Sequence, residues 1–263
     1  MRILIASDKV KHSLDSDEVA WHLTTGLLAE RPDLTVDSIS IADGGEGTVA
    51  AAISAGFTAH VVTVSGPTGV PVRATMAVRG HEAIIETAAA SGLTSLPGGI
   101  PDALGATSLG TGQLIREALN HGCTVICIGA GGSACTDGGA GLLEGLGATF
   151  LDARGQSLAP GGGALADLAA VDLSGLDPRL RKVKFVLASD VDNPLLGKQG
   201  AAAIFGPQKG AAPSEVDLLD RALQQDLDTA QQHATATVDS VFSVIERQVA
   251  QLKAHTKRVF STR

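Results

Sequence analysis

Apolar positions along this chain fall into short continuous runs and four-residue spacings, and the two patterns alternate from the start. Ile3-Leu4-Ile5-Ala6 is a compact run that predicts a strand. Val19, Leu23 and Leu27 then recur behind Asp15 and Glu18, which have capping-box spacing, so an amphipathic helix follows and Pro32 marks its end. Val36 to Ile41 alternates apolar and polar residues and predicts a second strand. Strand, helix and strand in this order form a βαβ unit with parallel strands and a right-handed crossover. An Ala-rich helix from Val49 to Ala55 stops at Gly56.

Beyond this the pattern changes. Val61 to Val64, Val72 to Val78 and Ala83 to Thr87 are apolar runs joined by turn chemistry at Gly66-Pro67-Thr68-Gly69 and Arg79-Gly80. They predict an antiparallel meander and a domain boundary near residue 62. Thr111 is positioned to cap a helix from Gly112 to His121, with Gly122 as its stop. His121 at that helix's C-terminus reads as a surface group complementing the dipole. Val125 to Ile128 and Phe185 to Ala188 predict further strands. Leu142 to Leu146 predicts a helix, and Asp152 to Gly155 a hairpin turn. Pro213-Ser214 opens a last helix, with Asp217 at capping-box spacing and Val216, Leu219, Leu223 and Leu227 on its apolar face. The fold class expected is α/β.

Composition narrows the chemistry. The chain has 263 residues, 44% hydrophobic and 18% charged, enough for a sizeable core and unlike a disordered segment. Aromatics are 3% and the formal charge is −8, which argues against base stacking and phosphate-backbone binding, so no nucleic-acid partner is expected. No apolar run approaches the roughly 20 residues that span a bilayer, so no membrane partner is expected either. Cys123, Cys127 and Cys135 lack metal-site spacing and read as buried thiols in a reducing compartment; with no signal peptide at Met1, the expected location is cytoplasmic.

Candidate chemistry sits at the ends of the apolar runs. Ile128 to Gly141 is a Gly-rich strand-to-helix segment carrying Ser133 and Asp137. It reads either as an anion cradle at a helix N-terminus or as a tight turn whose glycines permit close packing. Asp43 and Glu46 lie in Asp43-Gly44-Gly45-Glu46-Gly47, at the carboxyl end of the second strand, where ligands bind in open α/β sheets; the other reading is that they cap the next helix. Asp190, Asp192 and Asn193 follow another strand, a common place for general bases and Mg²⁺ ligands. Glu86 reads as a strand-end charge in solvent, with a site carboxylate as the other reading. The loop at Gly197-Lys198 is no Walker A loop, because the position of its first glycine is Asp192.

Several of these segments together resemble the bacterial glycerate kinases. The resemblance rests on Asp8, Lys11, Ser13 and Leu14; on Ala42 to Thr48; on Gly66-Pro67, Glu86 and Ala88 to Leu93; and on Gly110 to Gly112. It continues through Gly131 to Ala134, Asp137 to Gly141, Asp190 to Gly197 and Phe205 to Ala211. Lys9, Val10 and His12 depart from the pattern. The resemblance implies ATP-dependent phosphoryl transfer to D-glycerate, with Mg²⁺, giving 2-phosphoglycerate or 3-phosphoglycerate. The alternatives are a remnant that only binds ligand and a kinase for another small hydroxy acid.

For a member of that family, the matched residues carry these roles. Gly131, Gly132, Ser133 and Asp137 bind the nucleotide phosphates, and Lys11 offsets ligand charge. Asp43 and Asp190 hold Mg²⁺ or accept the hydroxyl proton. Asp8, Glu46, Asp192 and Asn193 contact the substrate. The implied architecture is a Rossmann- or flavodoxin-like domain, residues 1–62 plus 231–263, into which a mixed α/β domain, residues 63–230, is inserted. After the last amphipathic helix the chain leaves the family pattern: a block of the first domain is missing, and Val238 to Ile245 resembles the family's last strand. The first domain is therefore expected to be diminished. The sequence does not indicate an oligomeric state.

Overall fold

The computed structural model describes residues 1–10 and 13–234. Lys11, the expected join near residues 226–237 in its last part, and the strand expected at Val238 to Ile245 lie outside the described residues.

In chain order the elements are β1 (Arg2–Ser7), α1 (Ser16–Glu30), β2 (Thr35–Ser40), α2 (Thr48–Ser54), β3 (Thr58–Ser65), β4 (Pro71–Arg79) and β5 (Glu82–Glu86). They continue with α3 (Thr87–Ser91), α4 (Leu109–Asn120), β6 (Val125–Gly129), α5 (Ala140–Gly145), β7 (Thr149–Leu151) and β8 (Ala170–Asp172). The last are β9 (Lys184–Ala188), α6 (Ala201–Phe205) and α7 (Pro213–Ala234).

Most of the chain is built on one five-stranded sheet in the order β3-β4-β5-β6-β9. The meander β3-β4-β5 is antiparallel, and β5, β6 and β9 run parallel. Strand alternation sorts the side chains onto two faces. Met76, Ala83, Ile85, Ile126 and Ile128 meet Leu114, Ile115 and Ala118 of α4 in the main core. Ala77 and Ile84 point the other way, onto Val49 and Ala52 of α2. The domain boundary expected at residue 62 therefore falls inside β3, and α2 belongs to this sheet. The meander and the later strands share one sheet because β5 is paired antiparallel on one side and parallel on the other. A second core, Phe150, Leu165 and Leu168 with Ala222 of α7, lies beyond α5.

The capping expectations divide. Asp15 accepts from Glu18 N at 2.8 Å and the Glu18 carboxylate accepts from Asp15 N at 2.9 Å, a complete capping box on α1. Thr111 does not cap α4; the helix starts at Leu109, and the Thr111 hydroxyl donates to Ser91 Oγ in the interior. Ser214 is inside α7, and the Ala212 N–H is answered by Glu215 at 2.7 Å.

The first βαβ unit stands apart. β1 and β2 pair in parallel, as the spacing predicts, but among the described residues they form a sheet of two strands. Among the described residues, eight of the fourteen exposed large hydrophobics belong to residues 1–41, including Leu4, Trp21 and Ile39. Only Ile5 and Ala20 of this unit are buried hydrophobics. With so few buried apolar side chains among the described residues, this unit draws little stability from a core of its own. Local opening should therefore be unequal. Hydrogen exchange by mass spectrometry should show β1 and β2 amides exchanging at least about tenfold faster than those of β6; equal protection would contradict this picture.

A buried charge pair makes a second prediction. Asp226 of α7 packs under the turn at Gly138, where a Cβ would sit 2.7 Å from the Asp226 carboxylate. Burial, with the nearby charge of Asp137, pushes Asp226 up to about 7. Because the folded chain holds this proton more tightly than the unfolded chain, stability is lost as pH rises from about 4 through about 7. Asp226→Asn lacks that loss. It should match the wild type near pH 4 and be more stable at pH 8, by up to ~4 kcal/mol at 1.36 kcal/mol per pKa unit. Urea unfolding at both pH values checks the sign.

Candidate functional site

The carboxyl ends of the parallel strands carry three loops, and glycine lets them meet backbone to backbone. Gly44, at φ +90°, lies against the Ala188 carbonyl that ends β9, where no Cβ fits. A Cβ on Gly129 would sit 2.5 Å from Gly44 O, and one on Gly131 would sit 2.7 Å from Gly45 Cα. The contacts are hydrogen-bonded: Gly131 N–H donates to Gly44 O and Ala130 N–H to Ala188 O, both at 3.1 Å. The loop after β2, the loop after β6 and the end of β9 thus form one ledge.

Above that ledge is a cleft of about 820 Å³. It brings together Asp8, Asp43, Glu46, Gly131, Gly132, Ser133 and Asp190 of the expected site, with Lys9 and Lys209 beside them. Asp192 and Asn193 do not line it; the Asn193 amide instead donates to Gln199 O at 3.0 Å. A smaller, mainly apolar cavity of about 380 Å³ adjoins it and shares Ala130, Ser133, Phe205 and Lys209.

The two helix N-termini that follow the Gly-rich loops are already occupied by the protein's own carboxylates. α2 begins after Gly47, which has no side chain to cap it. Glu86, from the end of β5, supplies the acceptor: its Oε1 takes Val49 N–H at 2.6 Å. Glu86 is buried, not a solvent-facing strand end, and burial raises its pKa against the pull of the Val49 and Gly47 N–H groups. Asp137 does the same for α5. It is 3% exposed and accepts from Gly139 N, Gly141 N, Ser108 N, Ser108 Oγ and Thr107 Oγ1 at 2.7–3.5 Å. Asp137 therefore sits behind the loop and ties it to the start of α4. The six-residue α5 offers no vacant dipole end to a phosphate.

Further along the same loop, the Gly131 N–H is spent on Gly44 and the Ala134 N–H on Ser91 O. Gly132, at φ +73°, and Ser133 keep N–H groups without an acceptor among the described residues. They are the part of the expected cradle with donors to offer.

Positive charge enters from two lysines. Lys9, after β1, donates to Glu46 O at 2.6 Å and lies 3.8 Å from Asp43, whose carboxylate also takes Gly45 N–H at 2.8 Å. Lys9 stands where the chain departs from the family motif, so motif matching passed over it. Lys209, on the short turn Pro207–Lys209, is buried and donates to Ser133 Oγ at 3.1 Å and to the Cys135 carbonyl. The signal for Lys209 was a basic Gly-bracketed loop; its reach of some seventy residues back to Ser133 is not written in local spacing. Among the described residues no group of three or more His, Cys, Asp or Glu side chains is placed to hold a metal. No described helix is long and apolar enough to cross a membrane.

Comparison with known proteins agrees with this arrangement. Residues 3–248 match the model of the glycerate kinase family. A glycerate kinase of Bacillus subtilis (strain 168) is 45% identical over 241 residues, 90% of this chain and 63% of that protein. A glycerate 2-kinase of Escherichia coli (strain K12) is 48% identical over 227 residues, 85% of this chain and 59% of that protein. A crystal structure assigned as glycerate kinase 2 from Salmonella typhimurium LT2 superimposes with a TM-score of 0.76 at 47% identity, over 87% of this chain and 62% of that one. The chain thus spans about three-fifths of the length of the relatives it matches. With the matched segments running through β1, the ledge and α6, the chain belongs to the glycerate kinase family.

Proposed function

We propose that the cleft above the glycine ledge binds D-glycerate and the phosphates of ATP, and that the chain transfers a phosphoryl group between them to give phosphoglycerate and ADP. The observation that carries this reading is the convergence of Asp43, Asp190, Gly132, Ser133 and two lysines on one cleft from five separate loops. Phosphoryl transfer demands mainly positioning and charge neutralisation, and this inventory provides both.

The roles follow from how each group is held. Asp43 is fixed by Gly45 N–H and flanked by Lys9, so its oxygen is oriented and its charge partly balanced. Asp190 makes no hydrogen bond among the described residues and faces the cleft at the end of β9. Asp190 is therefore the better group to accept the proton of the attacking hydroxyl. Gly132 and Ser133 donate to phosphate oxygens. Two carboxylates in one cleft, without a third ligand, suit Mg²⁺, which binds through one or two carboxylates plus substrate phosphates. Asp43 and Asp190 would hold it, and it would neutralise charge on the transferred group.

The exposed β1-α1-β2 unit is read as part of a smaller parallel-sheet domain into which the larger body is inserted, as the family resemblance implies. Its sparse burial supports this division. Cys123, Cys127 and Cys135 are free thiols whose pKa values are raised by burial, which fits a reducing cytoplasm.

A coupled ADP-release assay with Mg-ATP and D-glycerate tests the function. Turnover is expected, and its absence alongside measurable glycerate binding would support the ligand-binding remnant instead. Other hydroxy acids in the same assay test the remaining alternative. Asp190→Asn should lower kcat by about 10²–10⁴-fold, the usual worth of a general base, with ADP affinity unchanged. Asp43→Asn should raise the Mg²⁺ concentration needed for half activity. Unchanged turnover in both variants would end these assignments.

A further inference from the structure

We propose that Lys209 is a ligand-contacting residue whose ammonium binds an anionic oxygen, phosphoryl or carboxylate, at the junction of the two cavities. The inference rests on the phosphotransferase reading of the cleft and assigns a specific cation to it.

The placement of Lys209 is unusual for a lysine. Its side chain is carried on the turn after α6 into the interior, leaving the residue 7% exposed. Buried cations are ordinarily paired with a carboxylate, because desolvation of an unpaired charge is costly. Lys209 forms no ion pair among the described residues; its bonds go to two neutral oxygens, Ser133 Oγ and the Cys135 carbonyl. The carboxylate that acts on it is Asp137, which is already taken by five donors at the starts of α4 and α5. An ammonium has three N–H donors, so one is left over. Lys209 lines both cavities, and so does Ser133.

The rest of the site makes this cation necessary. The cleft wall carries Asp8, Asp43, Glu46 and Asp190, a field that repels an anion. The helix ends that could attract one are plugged by Glu86 and Asp137. Lys9 is committed to Glu46 O beside Asp43. Lys209, with no carboxylate paired to it among the described residues, is the cation bonded to Ser133 at the point where Gly132 and Ser133 offer their N–H groups. Burial lowers its pKa, and an anion settling beside it would restore the charged form. The tie to Ser133 Oγ also orients the hydroxyl that faces the same ligand.

The test uses the full chain and three probes, orthophosphate, ADP and D-glycerate, with binding followed by calorimetry. Lys209→Met removes the charge at similar volume, and its thermal midpoint reports whether the chain stays folded without the bonds to Ser133 and Cys135. Lys209→Gln serves if the Met variant does not fold. The expected result is at least tenfold weaker binding of one or more probes, with Lys209→Arg retaining part of the affinity. Loss confined to orthophosphate and ADP places the phosphoryl group at Lys209; loss confined to D-glycerate places the carboxylate there. Wild-type affinity in both neutral variants overturns the proposal, as does a wild-type chain that binds none of the probes. ADP release by the wild type reports separately on the kinase reading. Turnover with Lys209-independent binding overturns only this inference, whereas Lys209-dependent phosphate binding without turnover overturns only the kinase reading.

Discussion

A side chain at residue 44, 129 or 131 would collide with backbone that the cleft is made of. Gly44 presses on the carbonyl that ends β9, and Gly131 hands its N–H to Gly44. These contacts bring the loop after β2, the loop after β6 and the end of β9 into one surface. Asp43 and Glu46 reach the cleft from the first, Gly132 and Ser133 from the second, and Asp190 follows the third. Remove the close approach and the same residues lie on separate loops.

That ledge also sets the electrostatics. Glycine at the starts of α2 and α5 means neither helix supplies its own side-chain cap. The orphan N–H groups need acceptors. Glu86 and Asp137 provide them from elsewhere in the fold, at the expense of any phosphate that would use the same dipole ends. A loop rich in glycine and followed by a helix is thus not enough for an anion site; what matters is whether a carboxylate already answers the helix. Here both are answered, and the burden of attracting an anion shifts to Lys9 and Lys209.

Much of the scaffold was legible because it is encoded locally. The βαβ opening, the capping box at Asp15 and Glu18, the antiparallel meander and the apolar face of α7 follow from residue spacing alone. What local spacing did not carry was long-range. Glu86 reads as a strand-end charge because the N–H it caps, on Val49, lies 37 residues earlier in the chain. Thr111 looked like a cap because it precedes an apolar face, yet α4 begins two residues before it. The change of pattern near residue 62 falls within β3, Thr58–Ser65, whose antiparallel pairing with β4 begins the meander. In the candidate site, the Gly-rich loops are readable from local sequence and the fold gathers them into one ledge, while Lys209 needs the fold to bring it to Ser133.

The most direct test of this account is Gly131→Ala, followed by calorimetric titration of ADP and D-glycerate with the thermal midpoint recorded alongside. The added methyl meets Gly45 and none of the residues of the main core, so the chain should stay folded. The ledge should part, and affinity for at least one of the two ligands should fall more than tenfold. A folded variant that binds both as the wild type does would contradict the claim that backbone contact between these loops assembles the site.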